Sequence, residues 1–251
     1  MKDLALLSEL PADIRPATTH DRRVVLHSPL LQNLPSEIQN LLLRIGATRS
    51  LRRGEHLFGE GQELAAFYYV LAGRLKEYYP AGADDQCLRR VVLPGQYISL
   101  HLMLTEAPVH TYSTQAIGAA RCFTWHFDEF RDIMRREPLV ALQVSRVLAE
   151  HVEQFCRHAC LCRKSRALAK VAGYLLSKYR HLSLNPEDMV KGQKVQTDLR
   201  PFDLAAAEIC TARETFSRAL SCLQERRLIR VENGVVDILD VEGLKKISIT
   251  G

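Results

Sequence analysis

The chain has 251 residues, 47% of them hydrophobic, and 34 lysines and arginines against 29 acidic residues, a formal net charge of +5. That is enough chain and apolar content for two cores, since one domain takes roughly 100–200 residues, and the ordinary aromatic and charged fractions exclude a disordered or fibrous polymer. No apolar run approaches the roughly 20 residues that cross a bilayer, and Asp3, Glu9 and Asp13 interrupt the N-terminal stretch, so a cytoplasmic protein with no membrane partner is expected.

Residues 1–162 hold 18 basic and 18 acidic side chains, whereas 163–251 hold 16 and 11, so the whole positive balance lies in the last third. Such asymmetry suits a polyanion-binding module. The seven cysteines, without a secretory signal, point to reduced thiols that bind metal, respond to oxidants or simply pack.

Residues 1–25 form an extension to which no fold is assigned. From residue 26 to 136 the chain reads as a β-rich domain. Short runs such as Phe67–Leu71, Leu88–Leu93 and Arg121–Trp125 alternate with Gly54, Gly59, Gly61, Gly73, Gly82, Gly95 and Gly118, the pattern of a β-sandwich or barrel.

Residues 137–165 follow as one long helix. Ala141, Ser145, Leu148, Val152, Phe155, Ala159 and Cys162 are spaced alternately by four and three, which keeps them on one side. The stripe either packs on the chain's own β-domain or, as a dimer interface of Leu148, Val152, Phe155, Ala159 and Cys162, meets a second copy. A polar stretch from His181 to Arg200 reads as a loop or exposed hairpin.

Residues 166–251 carry the most specific pattern. Ala205, Ala206 and Ile209, followed by Thr211-Ala212-Arg213-Glu214, have the spacing of a helix-turn-helix. Thr211 and Glu214 are expected to form a capping box that starts the second helix. Phe216, Ala219, Leu220 and Leu223 then face inward at helical spacing, leaving Arg213, Glu214, Ser217 and Arg218 on the opposite face. That set suits a major-groove edge, because arginine donates two bonds to guanine and a carboxylate accepts from cytosine N4. Two β-runs, 228–231 and 235–239, flank Asn233-Gly234, a hairpin signal that reads as a wing. Arg226, Arg227 and Arg230 beside it are candidates for phosphate contacts.

These residues resemble the Crp/Fnr family of bacterial transcription regulators. Arg213-Glu214-Thr215-Phe216-Ser217-Arg218 is similar to its recognition-helix core, Gly54–Gly61 and Phe67–Gly73 to its β-roll signature, and Pro94–Ile98 to the strand entering its effector pocket. The resemblance implies an α+β protein: an N-terminal β-roll of the cyclic-nucleotide-binding, double-stranded β-helix type, a long dimerisation helix and a C-terminal winged helix-turn-helix. It implies a homodimer on double-stranded DNA, with RNA polymerase as a further partner, and TGTGA-like half-sites.

Where cyclic-AMP members of the family carry a Glu and an Arg for the phosphate, this chain has Leu100 and His110, and Phe155 and Cys156 stand where two hydroxyl residues face the adenine. A cyclic phosphate left without its arginine is not compensated. No cysteine precedes Cys87, which argues against an iron–sulfur cluster. The candidate effector residues are therefore His151, Phe155, Cys156 and His158, with Leu100 and His110. They suit haem as a cofactor, as in family members that sense carbon monoxide or nitric oxide, a thiol switch or another small ligand; plain packing or solvation is the alternative. The nitrosative-stress (HcpR-like) subgroup is the nearest in character. A cupin-like metal enzyme would share the β-barrel but needs a His-x-His pair, which the chain lacks; a protein-binding regulatory subunit would leave the basic final module unexplained.

Overall fold

The computed structural model describes residues 14–82, 85–105, 109–183 and 196–250, and the chain divides between His151 and Val152 into two compact units. In the first, alternation of turn and strand builds two sheets. Strands β1 (Ile14–Pro16), β2 (Ala47–Leu51), β4 (Ala66–Ala72), β7 (Tyr97–Ile98) and β9 (Ala120–His126) form one, in the order β1-β2-β9-β4-β7; β3 (His56–Phe58), β5 (Leu75–Pro80), β6 (Gln86–Val92) and β8 (Ser113–Ala116) form the other, in the order β3-β8-β5-β6.

Side chains alternate across a strand, and β4 has apolar residues on both faces. Tyr68 and Val70 join Phe58, Leu75, Val92, Ile98 and Cys122 in one core. Phe67, Tyr69 and Leu71 point the other way, with Phe123 and Trp125 of β9, into a second core closed by helices. Those helices are α1 (Thr19–Leu26), α2 (Ser36–Arg44), α3 (Phe127–Arg136) and the first half of α4 (Pro138–Cys162). Trp125 Nε1 donates to the Leu42 carbonyl at 2.9 Å and Gln143 Nε2 to the Pro29 carbonyl at 2.5 Å, so these two buried donors are paired. Gly73 has φ +79°, and a Cβ there would run into the Ala119 carbonyl, which leaves glycine as the residue that fits.

Part of the expected N-terminal extension is structured. Strand β1 pairs with β2, and Thr18 caps α1 by accepting from Asp21 N at 3.1 Å while Asp21 accepts from Thr18 N at 3.2 Å.

The second unit packs α5 (Ala167–Ser183), α6 (Phe202–Glu208), α7 (Arg213–Glu225) and α8 (Val241–Thr250) with a sheet of β10 (Gln196–Asp198), β12 (Val235–Ile238) and β11 (Ile229–Glu232), in that order. Val171, Leu175, Ile209, Phe216, Leu220, Leu223, Val236 and Leu244 form its core. Asn233 (φ +50°) and Gly234 (φ +78°) make the hairpin turn between β11 and β12, the two positive φ values that an Asn-Gly hairpin demands. The polar stretch begins later than expected: α5 carries helix through His181 to Ser183, and Gln196–Asp198 adds a third strand against β12. The remainder of that stretch, 184–195, lies outside the described residues. Among the described residues no helix is long and apolar enough to cross a membrane.

Candidate functional site

Helix α7 is amphipathic by its own spacing. Phe216, Ala219, Leu220 and Leu223 are buried, and the Phe216 ring lies against Tyr174 and Phe202 with centroids 6.1 and 6.0 Å away. Arg213, Glu214, Ser217 and Arg218 are all exposed. Their internal contacts are slight: Arg213 Nε is 3.4 Å from an Asp203 carboxylate oxygen, and Arg218 Nε donates to the Glu214 carbonyl at 3.4 Å. Pairs this exposed contribute little to stability, so the guanidinium and carboxylate groups stand available to another molecule.

The start of α7 differs from the expectation. Ala212 is the N-cap, in extended conformation, and no side chain caps it. Thr211 lies one residue too early for a capping box, and its N–H donates instead to the Ala206 carbonyl at 3.1 Å. The reason is the turn itself: Cys210 has φ +51° and reverses the chain so tightly that the helix begins after Ala212. Thr211, half-buried, therefore belongs to the turn and Glu214 to the first turn of the exposed face.

What holds α6 in place is a buried carboxylate that sequence reading did not single out. Glu208 accepts from Tyr174 Oη at 2.7 Å and from Lys178 Nζ at 3.1 Å, anchoring the first helix of the pair on α5. On the other side, Arg226 ends α7, Arg227 follows at φ +57°, and Arg230 projects from β11 with Glu232 at 3.9 Å.

In the β-domain, Leu100 and His110 are both buried, at 1% and 2% exposure. The His110 ring stacks on Phe58 with centroids 3.5 Å apart, and burial holds its pKa down to about 4. Beside it Ser99, at φ +63°, shares a 3.2 Å hydrogen bond with Tyr112 Oη. The Arg89 guanidinium lies 4.4 Å over the Tyr112 ring and pairs with Glu77, which Arg90 also grips at 2.8 Å. Burial would raise the Glu77 pKa, but the two arginines, Arg90 foremost, more than offset it and hold it below the usual carboxylate range. His101, whose ring faces Tyr112, is likewise held down to about 4, by burial first and Arg89 second.

The long helix separates its two faces. Val140, Val144 and Val147 are buried on the β-domain core, and Leu148 packs partly against it. Val152 (63% exposed) and Phe155 (71%) are bare, as are Cys156 and Ala159. Cys162 turns to the Glu208 carbonyl, 3.6 Å away, with His158 Nε2 also at 3.6 Å. His151, half-buried, has its ring 6.2 Å from that of Tyr97. His151 and His158 thus stand in different surroundings.

Comparison with known proteins bears on both units. A family model described as a cyclic nucleotide-binding domain matches residues 48–137, and a Crp-like helix-turn-helix domain matches 169–247. The "Cyclic AMP receptor protein" of Thermus thermophilus is 24% identical over 221 residues, covering 88% of this chain and 97% of that protein. The "Probable transcriptional regulator flp" of Lacticaseibacillus casei is 29% identical over 223 residues, 86% of this chain and 94% of its own. Both domain models and these relatives support the Crp/Fnr family. FixK2 from Bradyrhizobium japonicum shares the fold, with a TM-score of 0.69 over 81% of this chain and 97% of that one at 19% identity.

As a Crp/Fnr-type transcription regulator the protein carries its DNA-binding helix-turn-helix in the second unit, where Ala206, Cys210 and α7 lie. The residues brought together there are Arg213, Glu214, Ser217 and Arg218. Of the proposed effector residues, Leu100 and His110 are buried within the first unit, while Phe155 and Cys156 are exposed on α4 in the second. Of the polar cluster around Glu77, sequence reading found His110 alone. Its other members are spread from residue 77 to 112, and the pairing of β5 with β6 sets Glu77 opposite Arg90.

Proposed function

We propose that this Crp/Fnr regulator works as a homodimer that reads a near-palindrome with TGTGA-like half-sites, under the control of a signal other than a cyclic nucleotide. The observation that carries the reading is the face of α7: two arginines, a glutamate and a serine exposed together on a helix whose opposite side is fully packed. Arginine on guanine and glutamate on cytosine are the pairings that a G·C-containing half-site rewards. The bare stripe of Val152, Phe155 and Ala159 supports a second copy as the partner of α4, since an unpaired heptad seam gains by burial against its own kind. RNA polymerase is the partner such a regulator meets at a promoter.

Against a cyclic nucleotide stand the two residues at its phosphate position. Leu100 brings no charge, and His110 is neutral near pH 7 and already stacked on Phe58. Arg89 and Arg90 both pair with Glu77. Haem is one signal-bearing group that would suit the helix: its iron would be held by His151 or His158, which lie about 10 Å apart along α4 at 1.5 Å per residue. Haemin titration tests this, with a Soret band unchanged by His151→Ala and His158→Ala counting against it.

The DNA reading is tested by gel shift on a duplex whose TGTGA and TCACA half-sites are centred about 10 base pairs apart. Wild type is expected to bind, and Arg213→Ala to bind about 5- to 150-fold less tightly, the equivalent of about 1–3 kcal/mol per bidentate pair. Equal affinities for this duplex and a scrambled one would overturn the half-site assignment.

A further inference from the structure

Two cysteines 48 positions apart meet at the base of the helix-turn-helix. Cys162 closes α4, and its thiol touches the Glu208 carbonyl at 3.6 Å. Cys210 occupies the turn between α6 and α7 at φ +51°, exposed to solvent. This left-handed conformation is one that residues with a Cβ seldom adopt and glycine takes freely. Lys170 Nζ reaches the carbonyls of Ile209 and Cys210 at 3.5 and 3.3 Å, holding the turn against the same end of α4 and α5. The Cys162 thiol thus lies against the backbone two residues before Cys210, and burial, then the Cys210 thiol, push its pKa up to about 11.

We propose that Cys162 and Cys210 form a peroxide-responsive disulfide that ties the turn of the helix-turn-helix to the end of α4. The chemistry assigns different parts to the two sulfurs. Cys210 is exposed, and exposure favours the first attack: its thiolate displaces hydroxide from hydrogen peroxide, forming an S–O bond as the O–O bond breaks, and the hydroxide is protonated to water. Cys162, sheltered behind Glu208, then resolves the sulfenic acid. Its sulfur bonds to Cys210 sulfur, the S–O bond breaks, and the departing hydroxide takes up the Cys162 proton, with His158 Nε2 at 3.6 Å placed to relay it. In sum two thiols lose two electrons and one peroxide becomes two waters. A dithiol reductant reverses the step by exchange.

The consequence follows from position. Cys210 lies three residues before Arg213, so a bond from it to α4 fastens the reading face of α7 to the helix that carries the dimer stripe. This rests on the reading of the signal as thiol oxidation; the DNA reading stands independently of it. Cys156 and Cys160 are exposed on α4, and Cys122 is buried within the β-domain.

The test uses the full-length protein treated with hydrogen peroxide, blocked with an alkylating reagent, and digested with trypsin without reduction. Residues 158–163 form one peptide holding both Cys160 and Cys162, so the mapping is done in Cys160→Ser as well as in wild type. A cross-linked pair joining this peptide to the one containing Cys210, absent from Cys162→Ser and Cys210→Ser, is the expected result. Recovery of Cys162 and Cys210 both alkylated, or of cross-links between chains alone, would overturn the proposal. The switch is read by DNA affinity: oxidation should change that of wild type about fivefold or more, the lower end of ordinary coupling between sites, and leave Cys210→Ser unchanged. An equal change in Cys210→Ser would also overturn it. Reduced protein that fails to bind DNA would instead refute the DNA reading, with the disulfide map still deciding the pair.

Discussion

The β-domain and the recognition helix use the same kinds of side chain to opposite ends. Around Glu77, charge is turned inward: a carboxylate with no exposure is held by Arg89 and Arg90, and Tyr112, Ser99 and His110 complete a set of mutual contacts. Along α7, Arg213, Glu214 and Arg218 are left to solvent with only long, weak contacts to their neighbours. A buried charge that loses its partner costs far more than an exposed one. The first arrangement therefore stabilises a fold, and the second keeps its interactions for another molecule. Leu100 and His110 lie in the interior beside this cluster, while the outer face of α7 remains open.

This contrast is broken most severely by removing Glu77. Glu77→Ala leaves two arginines facing one another around a buried gap, and a loss of about 3–5 kcal/mol is expected in urea or thermal unfolding, as for other buried pairs cut on one side. A change below about 0.5 kcal/mol, the size of an ordinary surface substitution, would show that the cluster is not a structural device. Arg213→Ala should show the converse: unfolding within about 0.5 kcal/mol of wild type but DNA binding weakened by about 1–3 kcal/mol. If Arg213→Ala unfolds the second unit, the division between packed and available charge is wrong.

Much of this division was legible in the sequence, and the parts that were not share a physical cause. Periodicity exposes the core side of α7, since Phe216, Ala219, Leu220 and Leu223 repeat along one helix, and Asn233-Gly234 declares the wing by its backbone requirement alone. Motifs that depend on a helix starting at a given residue were less secure. Thr211-x-x-Glu214 has the letters of a capping box, but the reversal at Cys210 moves the cap to Ala212. A working box sits at Thr18 and Asp21, where aspartate stands in for the usual glutamate or glutamine. Strand Gln196–Asp198 has no apolar alternation to reveal it and is defined by backbone pairing with β12. Glu77, His101 and Tyr112 acquire their meaning from strand register, which no local pattern of one sequence contains.

Acidification separates the members of the interior cluster in a way the exposed face cannot mimic. His101 and His110 are held at about 4, below the 6.5 of an unburied imidazole, so between these values the unfolded chain binds more protons than the folded one and stability rises with pH. Their contribution is complete above about 6.5 and is lost as pH falls through about 4. Glu77, with its pKa lowered from 4.5, contributes above that value and is lost only at lower pH. His110→Asn should therefore flatten the upper part of the acid transition, followed by thermal melts across the range, and leave the part due to Glu77 in place. A transition of unchanged shape would mean that His110 is as open to protons as the side chains of α7.

The smallest expected effect belongs to the wing. Arg230 is exposed on β11 with only a 3.9 Å contact to Glu232, so Arg230→Ala should leave folding untouched and lower DNA affinity alike for matched and mismatched half-sites. If the guanidinium meets a phosphate, the slope of log affinity against log salt falls in magnitude by about one, whereas Arg213→Ala changes the preference among sequences as well. The two arginines then report different things from surfaces equally bare: one positions the protein on the backbone and the other reads a base. An Arg230→Ala protein whose salt slope matches wild type, yet whose half-site preference shifts, would reverse these roles and place the reading edge on the wing.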